Sequence, residues 1–177
     1  MRAFIGIRIK ADKGLLEIID KLGKFKELRL VKPEVMHLNL KFLGDIDEEQ
    51  AGQIKSILDE IAASAETNAF DLRLSNLGVF PDKKFIRVVW LGVESEPLMK
   101  LHSHLEEKLA GLGFMKEQGY KPHITLARAK GRPPEEVHDV LNKEYNRDVR
   151  VMKIELIKST LTEQGPLYET IHEVELK

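Results

Sequence analysis

The 177-residue chain contains no cysteine. That removes disulfides, thiolate zinc sites and a thiol nucleophile, and leaves the compartment open on this ground. Aromatic residues are scarce, at 6%, with a single tryptophan. No run of about 18 apolar residues occurs, so no membrane-spanning helix is expected. The opening MRAFIGIRIK has a short apolar run ending in Arg8 and Lys10, with no small-residue cleavage site behind it. A cytoplasmic location is the expectation. A basic excess is also missing: 28 basic side chains against 29 acidic ones give a net charge of −1. Proteins that grip many phosphates along a nucleic acid normally carry such an excess. Any nucleic-acid contact is therefore expected to be local, at an end or at one phosphate.

What is present is enough apolar sequence for a folded core, 42% hydrophobic against 32% charged. It is arranged as a repeat. HLNLKFLG, starting at His37, is echoed by HITLAR, starting at His123, and the two histidines lie 86 residues apart. Lys32-Pro33 and Lys121-Pro122 precede them, Gly44 and Gly131 follow, and Glu48-Glu49 and Glu135-Glu136 open helical patterns. Upstream, the strand-like FIGIRI and FIRVVWLGV each lead into leucines and isoleucines at helical spacing, with Pro97 suited to a helix start. Downstream, AFDLRLSNLGVF matches RVMKIELIKSTL, both alternating as strands do, and LYETIHEVEL adds a last strand. Each half reads strand, helix, His-strand, helix, strand, with PDKK at 81–84 as a turn or hinge between them.

These patterns predict an α+β or α/β protein of two similar lobes; the favoured class is α+β, two pseudo-symmetric lobes, each a mainly antiparallel small sheet backed by helices, with a cleft between them. The chain is expected to form a single bilobal domain over 1–177, its repeats covering approximately 1–80 and 85–177. Strict alternation puts His37, Asn39 and Lys41 on one face of the first strand and Leu38, Leu40 and Phe42 on the other. In the second strand it puts His123, Thr125 and Ala127 together and Arg128 opposite them. Two facing imidazoles suit a general acid and a general base near neutrality. The Thr125 hydroxyl and the Asn39 amide are donors fit for an anionic oxygen centre such as a phosphate. Two histidines without motif carboxylates make a poor zinc set, so no metal and no cofactor are expected.

The remaining candidates read as structural. His102 and His104 would point about 200° apart on a helix and cannot share a ligand. His138 falls in a charged helix and His172 on a surface strand. Lys41, Lys121 and Lys158 could add positive charge to the cleft, but surface lysines usually serve only solubility. Phe80, Tyr120, Ser159 and Tyr168 read as packing residues.

The paired motifs, together with RAFIGI, FLG, LAR and STLTEQGPLYET, resemble the 2H phosphoesterase superfamily. The similarity is closest to the RNA 2′,3′-cyclic phosphodiesterases, also called 2′-5′ RNA ligases. The resemblance spans essentially the whole chain. It implies metal-independent opening of an RNA 2′,3′-cyclic phosphate to a 2′-phosphomonoester, with reversible 2′-5′ ligation permitted by the same residues. It assigns His37 to protonating the departing 3′ oxygen and His123 to accepting a proton from water. Asn39, Thr125 and Arg128 would hold the phosphate. Near-symmetry of the repeat leaves acid and base interchangeable; only the resemblance orders them. Asn39 departs from the threonine usual at that position. That departure keeps a second class open, a non-catalytic RNA-end or nucleotide-phosphate binding module. Expected partners are RNA ending in a 2′,3′-cyclic phosphate, tRNA halves included, or a small cyclic nucleotide. A monomer suffices.

Overall fold

The computed structural model describes residues 1–177. Local capping chemistry sets its helix starts. The side chain of Asp12 accepts from the Leu15 N–H at 2.8 Å and opens α1 (Lys13–Leu22), which buries Leu15, Ile18, Ile19 and Leu22. Asp47 and Gln50 form a reciprocal capping box at the start of α2 (Glu48–Ala63). Ser95 caps α3 (Glu96–Ala110), with Pro97 in its first turn. A short α4 (Val137–Leu141) completes the helices, none of which is long and apolar enough to cross a membrane.

Nine antiparallel strands form one continuous sheet: β1 (Arg2–Arg8), β2 (Leu28–Leu30), β3 (His37–Asp45), β4 (Phe70–Asp82), β5 (Phe85–Glu94), β6 (His123–Ala129), β7 (Asn146–Val151), β8 (Lys153–Thr162) and β9 (Gly165–Glu175). Their order is β7-β4-β5-β6-β3-β1-β8-β9, with β2 also paired to β6. From the centre outward, β6-β5-β4 on one side mirrors β3-β1-β8 on the other. The third strand of each sequence repeat has changed sides: β4 pairs with β5, and β8 with β1. β3 and β6 meet through one bridge, Leu38↔Ile124.

The α+β class therefore holds, and the two small sheets are joined edge to edge. The histidine strands are neighbours joined by one bridge, so their polar faces meet at the junction of the two halves. Leu38, Leu40, Ile124 and Leu126 point the other way, into a core shared with Ile54, Leu58, Leu101 and Leu105 of the helices. The segment at 81–84 is a tight hairpin turn joining β4 to β5, held by Asp82 Oδ1 accepting from the Lys84 and Phe85 N–H groups. The short β2 has no counterpart in the sequence reading, and RVMKIELIKSTL, read as one strand, is broken at Met152 into the end of β7 and β8.

Candidate active site

The single Leu38↔Ile124 bridge determines what stands beside what. In an antiparallel register it sets His37 opposite Thr125 and Asn39 opposite His123. All four residues lie on the face away from the core. The two histidines occupy a diagonal of this square, and diagonal neighbours in a sheet sit about 7–8 Å apart. That gap suits a phosphate group between two rings.

Alternation breaks at the same point in both motifs. Gly6 pairs with Asn39 and Ile5 with Lys41, leaving Leu40 as an extra residue. Trp90 pairs with Thr125 and Val89 with Ala127, leaving Leu126 extra. Each break is a β-bulge, which turns two successive side chains inward and reverses the phase of the residues beyond it. Leu40-Lys41 and Leu126-Ala127 are accordingly buried. Two expectations change as a result. Lys41 leaves the histidine face and is only 5% exposed, while Phe42, placed inward by alternation, is 66% exposed. Arg128 moves onto the histidine face, where its charge acts on both His37 and Tyr168.

The imidazoles are anchored alike. Nδ1 of His37 lies 3.0 Å from the carbonyl of Val35, and Nδ1 of His123 lies 2.7 Å from that of Lys121. A carbonyl only accepts, so each Nδ1 carries a proton and donates it, which leaves Nε2 as the nitrogen outside this anchoring bond. Aromatic rings fix the ring planes. Tyr168 meets His37 edge-on at 5.2 Å and Phe4 packs on it at 4.5 Å; Phe80 meets His123 edge-on at 5.1 Å, with Trp90 at 6.4 Å. Phe80 and Tyr168 do pack, as read from sequence, but what they pack against is the histidine pair.

The electrostatic settings differ. Burial pushes the His37 imidazole below its usual value, opposed by its bond to the Val35 carbonyl. The Arg8 charge adds to the fall, Glu155 counters it, and Arg128 lowers it further. Arg8 sits opposite His37 on β1, tied to Glu155 at 3.0 Å and to the Thr170 hydroxyl at 2.9 Å. Asn39 Oδ1 is buried without a partner, so the NH₂ end of the amide is the one that reaches the open face. A buried scaffold stands behind it. Tyr120 donates to the Asn39 carbonyl at 2.8 Å, burial holds its phenol well above the usual range, and its ring stacks on His102 at 3.7 Å. Lys41 bonds Glu106 at 3.0 Å and the Met115 carbonyl at 2.6 Å.

The other histidines stay out of the site. His102 is buried beside Glu106, His138 lies 3.7 Å from Glu135, and His172 binds Asp59 at 2.8 Å. Lys158 pairs with Glu169 across the β8–β9 hairpin.

The chain as a whole has relatives. The family model of the 2′-5′ RNA ligase superfamily matches residues 15–163. The chain belongs to this superfamily. Its relatives include the RNA 2′,3′-cyclic phosphodiesterase of Methanocaldococcus jannaschii, 34% identical over 98% of this chain and 99% of the relative. That of Aquifex aeolicus is 36% identical over 98% and 96%. Among solved structures of similar fold, a Thermus thermophilus protein aligns with a TM-score of 0.90 at 26% identity, covering 99% of this chain and 98% of that one. Escherichia coli LigT in complex with 3′-AMP aligns at 0.70 and 25% identity, covering 99% and 96%. The superfamily resemblance drawn from HLNLKFLG and HITLAR thus extends over the full chain.

Sequence reasoning missed Arg8, Phe4 and Trp90 as neighbours of the histidines. A signal existed for the last two, because Phe4 and Trp90 occupy matching places in the repeat, 33 residues ahead of their histidines.

Proposed function

We propose that this chain opens RNA 2′,3′-cyclic phosphate ends to 2′-phosphomonoesters by proton transfer between two histidines. The cyclic phosphate lies between the rings, its nonbridging oxygens accepting from the Asn39 amide and the Thr125 hydroxyl, with Arg128 further along the same strand face. His123 Nε2 takes a proton from water as the water oxygen bonds to phosphorus. The bond from phosphorus to O3′ breaks on the opposite side, and His37 Nε2–H delivers its proton to O3′. The product carries a 2′-phosphate and a free 3′-hydroxyl, and the two imidazoles have exchanged protonation states. Proton exchange with solvent restores them. Run backward with a 5′-hydroxyl in place of water, the same steps form a 2′-5′ linkage.

The observation that carries this reading is the matched anchoring of both rings. Each Nδ1 is tied to a carbonyl two residues back, leaving both Nε2 atoms for proton transfer beside two reachable donors. General acid–base groups of this kind contribute roughly 10²–10⁴-fold each. The names of the relatives agree with the substrate class. The reading asks nothing of a metal, and it extends to a cytoplasmic monomer that acts on ends such as those of tRNA halves.

The test is incubation of a short RNA ending in a 2′,3′-cyclic phosphate with the protein in excess EDTA. A 2′-phosphomonoester supports the assignment. A 3′-phosphomonoester reverses which oxygen leaves. Binding without turnover replaces the enzyme by an RNA-end binding module.

A further inference from the structure

Beyond the four residues at the centre, the shared face continues along β6 to a place where two arginines stand directly opposite each other. Arg29 on β2 pairs in register with Arg128 on β6, and both are exposed. Directly opposed residues share a sheet face and lie about 4.5–5.5 Å apart at Cα. The bulge at Leu126 puts Arg128 on the histidine face, so Arg29 is there too. Like charges so placed repel. Nothing inside the fold compensates them: neither arginine belongs to any ion pair, although thirteen other basic side chains do, from Arg8 to His172. Lys130 and Arg132 come next in the chain at the same strand end, also without acidic partners.

The location is as informative as the charge. Arg128 lies three residues beyond Thr125, roughly 10 Å along the strand. An arginine side chain and one nucleotide cover that span between them. β5 occupies one edge of β6, so β2 pairs with the other edge, the one β3 also meets, and Arg29 stands on the His37 side of Arg128, beyond His37 along that edge.

We infer that Arg29 and Arg128 together form a second anion seat, which holds the internucleotide phosphodiester on the 5′ side of the terminal nucleotide. This deepens the proposed function and rests on it: the seat makes the protein prefer an oligonucleotide end to a cyclic mononucleotide. Guanidinium groups suit this task, since two of them offer paired donors to the two nonbridging oxygens of one phosphodiester. The seat also reconciles a near-neutral chain with an RNA substrate, because its positive charge is concentrated at one unpaired cluster.

The test compares kcat/KM for adenosine 2′,3′-cyclic monophosphate with that for an adenylyl-adenosine dinucleotide ending in a 2′,3′-cyclic phosphate. It adds the same dinucleotide with an uncharged methylphosphonate linkage. The wild-type protein is expected to favour the natural dinucleotide about tenfold or more, with the uncharged one falling back to the mononucleotide. Arg29→Gln is expected to collapse the dinucleotide-to-mononucleotide ratio, and Arg29→Lys to restore part of it. The salt dependence of dinucleotide binding, as a log–log slope, should fall by about 0.7 in Arg29→Gln, the loss of one single-strand phosphate contact. An unchanged ratio in Arg29→Gln, or a preference that survives the neutral linkage, overturns the seat. Were no substrate turned over, the hydrolytic reading would fail by itself. Anisotropy of 5′-labelled dinucleotides ending in a 2′-phosphate, natural against uncharged linkage, would still decide the seat.

Discussion

Replacing Lys41 by methionine separates two accounts of the first motif. Alternation along HLNLKFLG would put Lys41 beside His37 as a cleft cation; the bulge at Leu40 turns it into the core. There its ammonium lies 2.8 and 3.0 Å from the two oxygens of Glu106, and both side chains are nearly sealed from solvent. Glu106 also accepts from the Glu117 N–H at 2.6 Å, so its carboxylate cannot swing out to water without breaking that bond. Removing one member of such a pair strands a buried charge and costs about 3–5 kcal/mol. For a chain of this size each kcal/mol moves Tm by about 2–4 °C, so Lys41→Met should lower Tm by about 6–20 °C. Glu106→Gln added to it removes the stranded charge and keeps an acceptor for Glu117. The Met115 carbonyl, on an otherwise exposed residue, finds water instead. The double variant should therefore melt several degrees above Lys41→Met alone. Thermal melts of wild type, both singles and the double close the cycle. Activity per folded molecule at 25 °C should remain within a few-fold of wild type. A Lys41→Met protein that keeps its Tm and loses its activity would falsify the inward placement and return the lysine to the substrate.

Further expectations concern the histidines and their neighbours. His37→Ala and His123→Ala should each lower kcat by roughly 10²–10⁴-fold; a variant near the wild-type rate would remove that ring from the proton transfers. The pH profile should be bell-shaped, and its alkaline limb reports His37, which must be protonated to act as the acid. Burial, Arg8 and Arg128 depress its pKa, so in the free protein the proton is lost below the usual imidazole value of about 6.5. A bound phosphate anion raises that pKa, so the alkaline limb of kcat should lie at higher pH than that of kcat/KM; coincident limbs would contradict the acid assignment. Gly78→Ala puts a methyl 2.1 Å from the ring atoms of Trp90. Because Trp90 is the only tryptophan, its displacement should shift the emission spectrum and slow turnover together, and an unchanged spectrum would show that the ring is not held there.

The elements and the paired motifs were readable because they are local. Leu15, Ile18, Ile19 and Leu22 announce α1, and His37 and His123 announce each other through matched surroundings. Three things were not readable. The exchange of β4 and β8 between halves depends on which strand edges meet after folding, and nothing within either strand encodes its partner. The bulges at Leu40 and Leu126 depend on the register with β1 and β5, so a rule of strict alternation misplaces every residue after them. That is why Lys41, Phe42 and Arg128 all changed faces while His37, Asn39, His123 and Thr125 did not. β2 is three residues long, too short to show alternation, and it exists because β6 offers it an open edge.

The mirrored strand order bears on how such a site could have two different histidines at all. Leu38 and Ile124, equivalent positions of the two repeats, pair with each other, which places them on a local two-fold axis. Two separate copies of one repeat, each lending its third strand to the other, would build the same sheet as a homodimer. In that dimer the two imidazoles would be identical by symmetry, and neither could be tuned as the acid without tuning the other equally. Joining the copies through the turn at 81–84 lifts that restriction. In this chain the released positions are visible as pairs that no longer match: Asn39 against Thr125, Phe42 against Arg128, Phe4 against Trp90. Under the proposed function, such mismatches turn a symmetric clamp into a directional one, which is what telling the 2′ oxygen of a ribose from the 3′ requires.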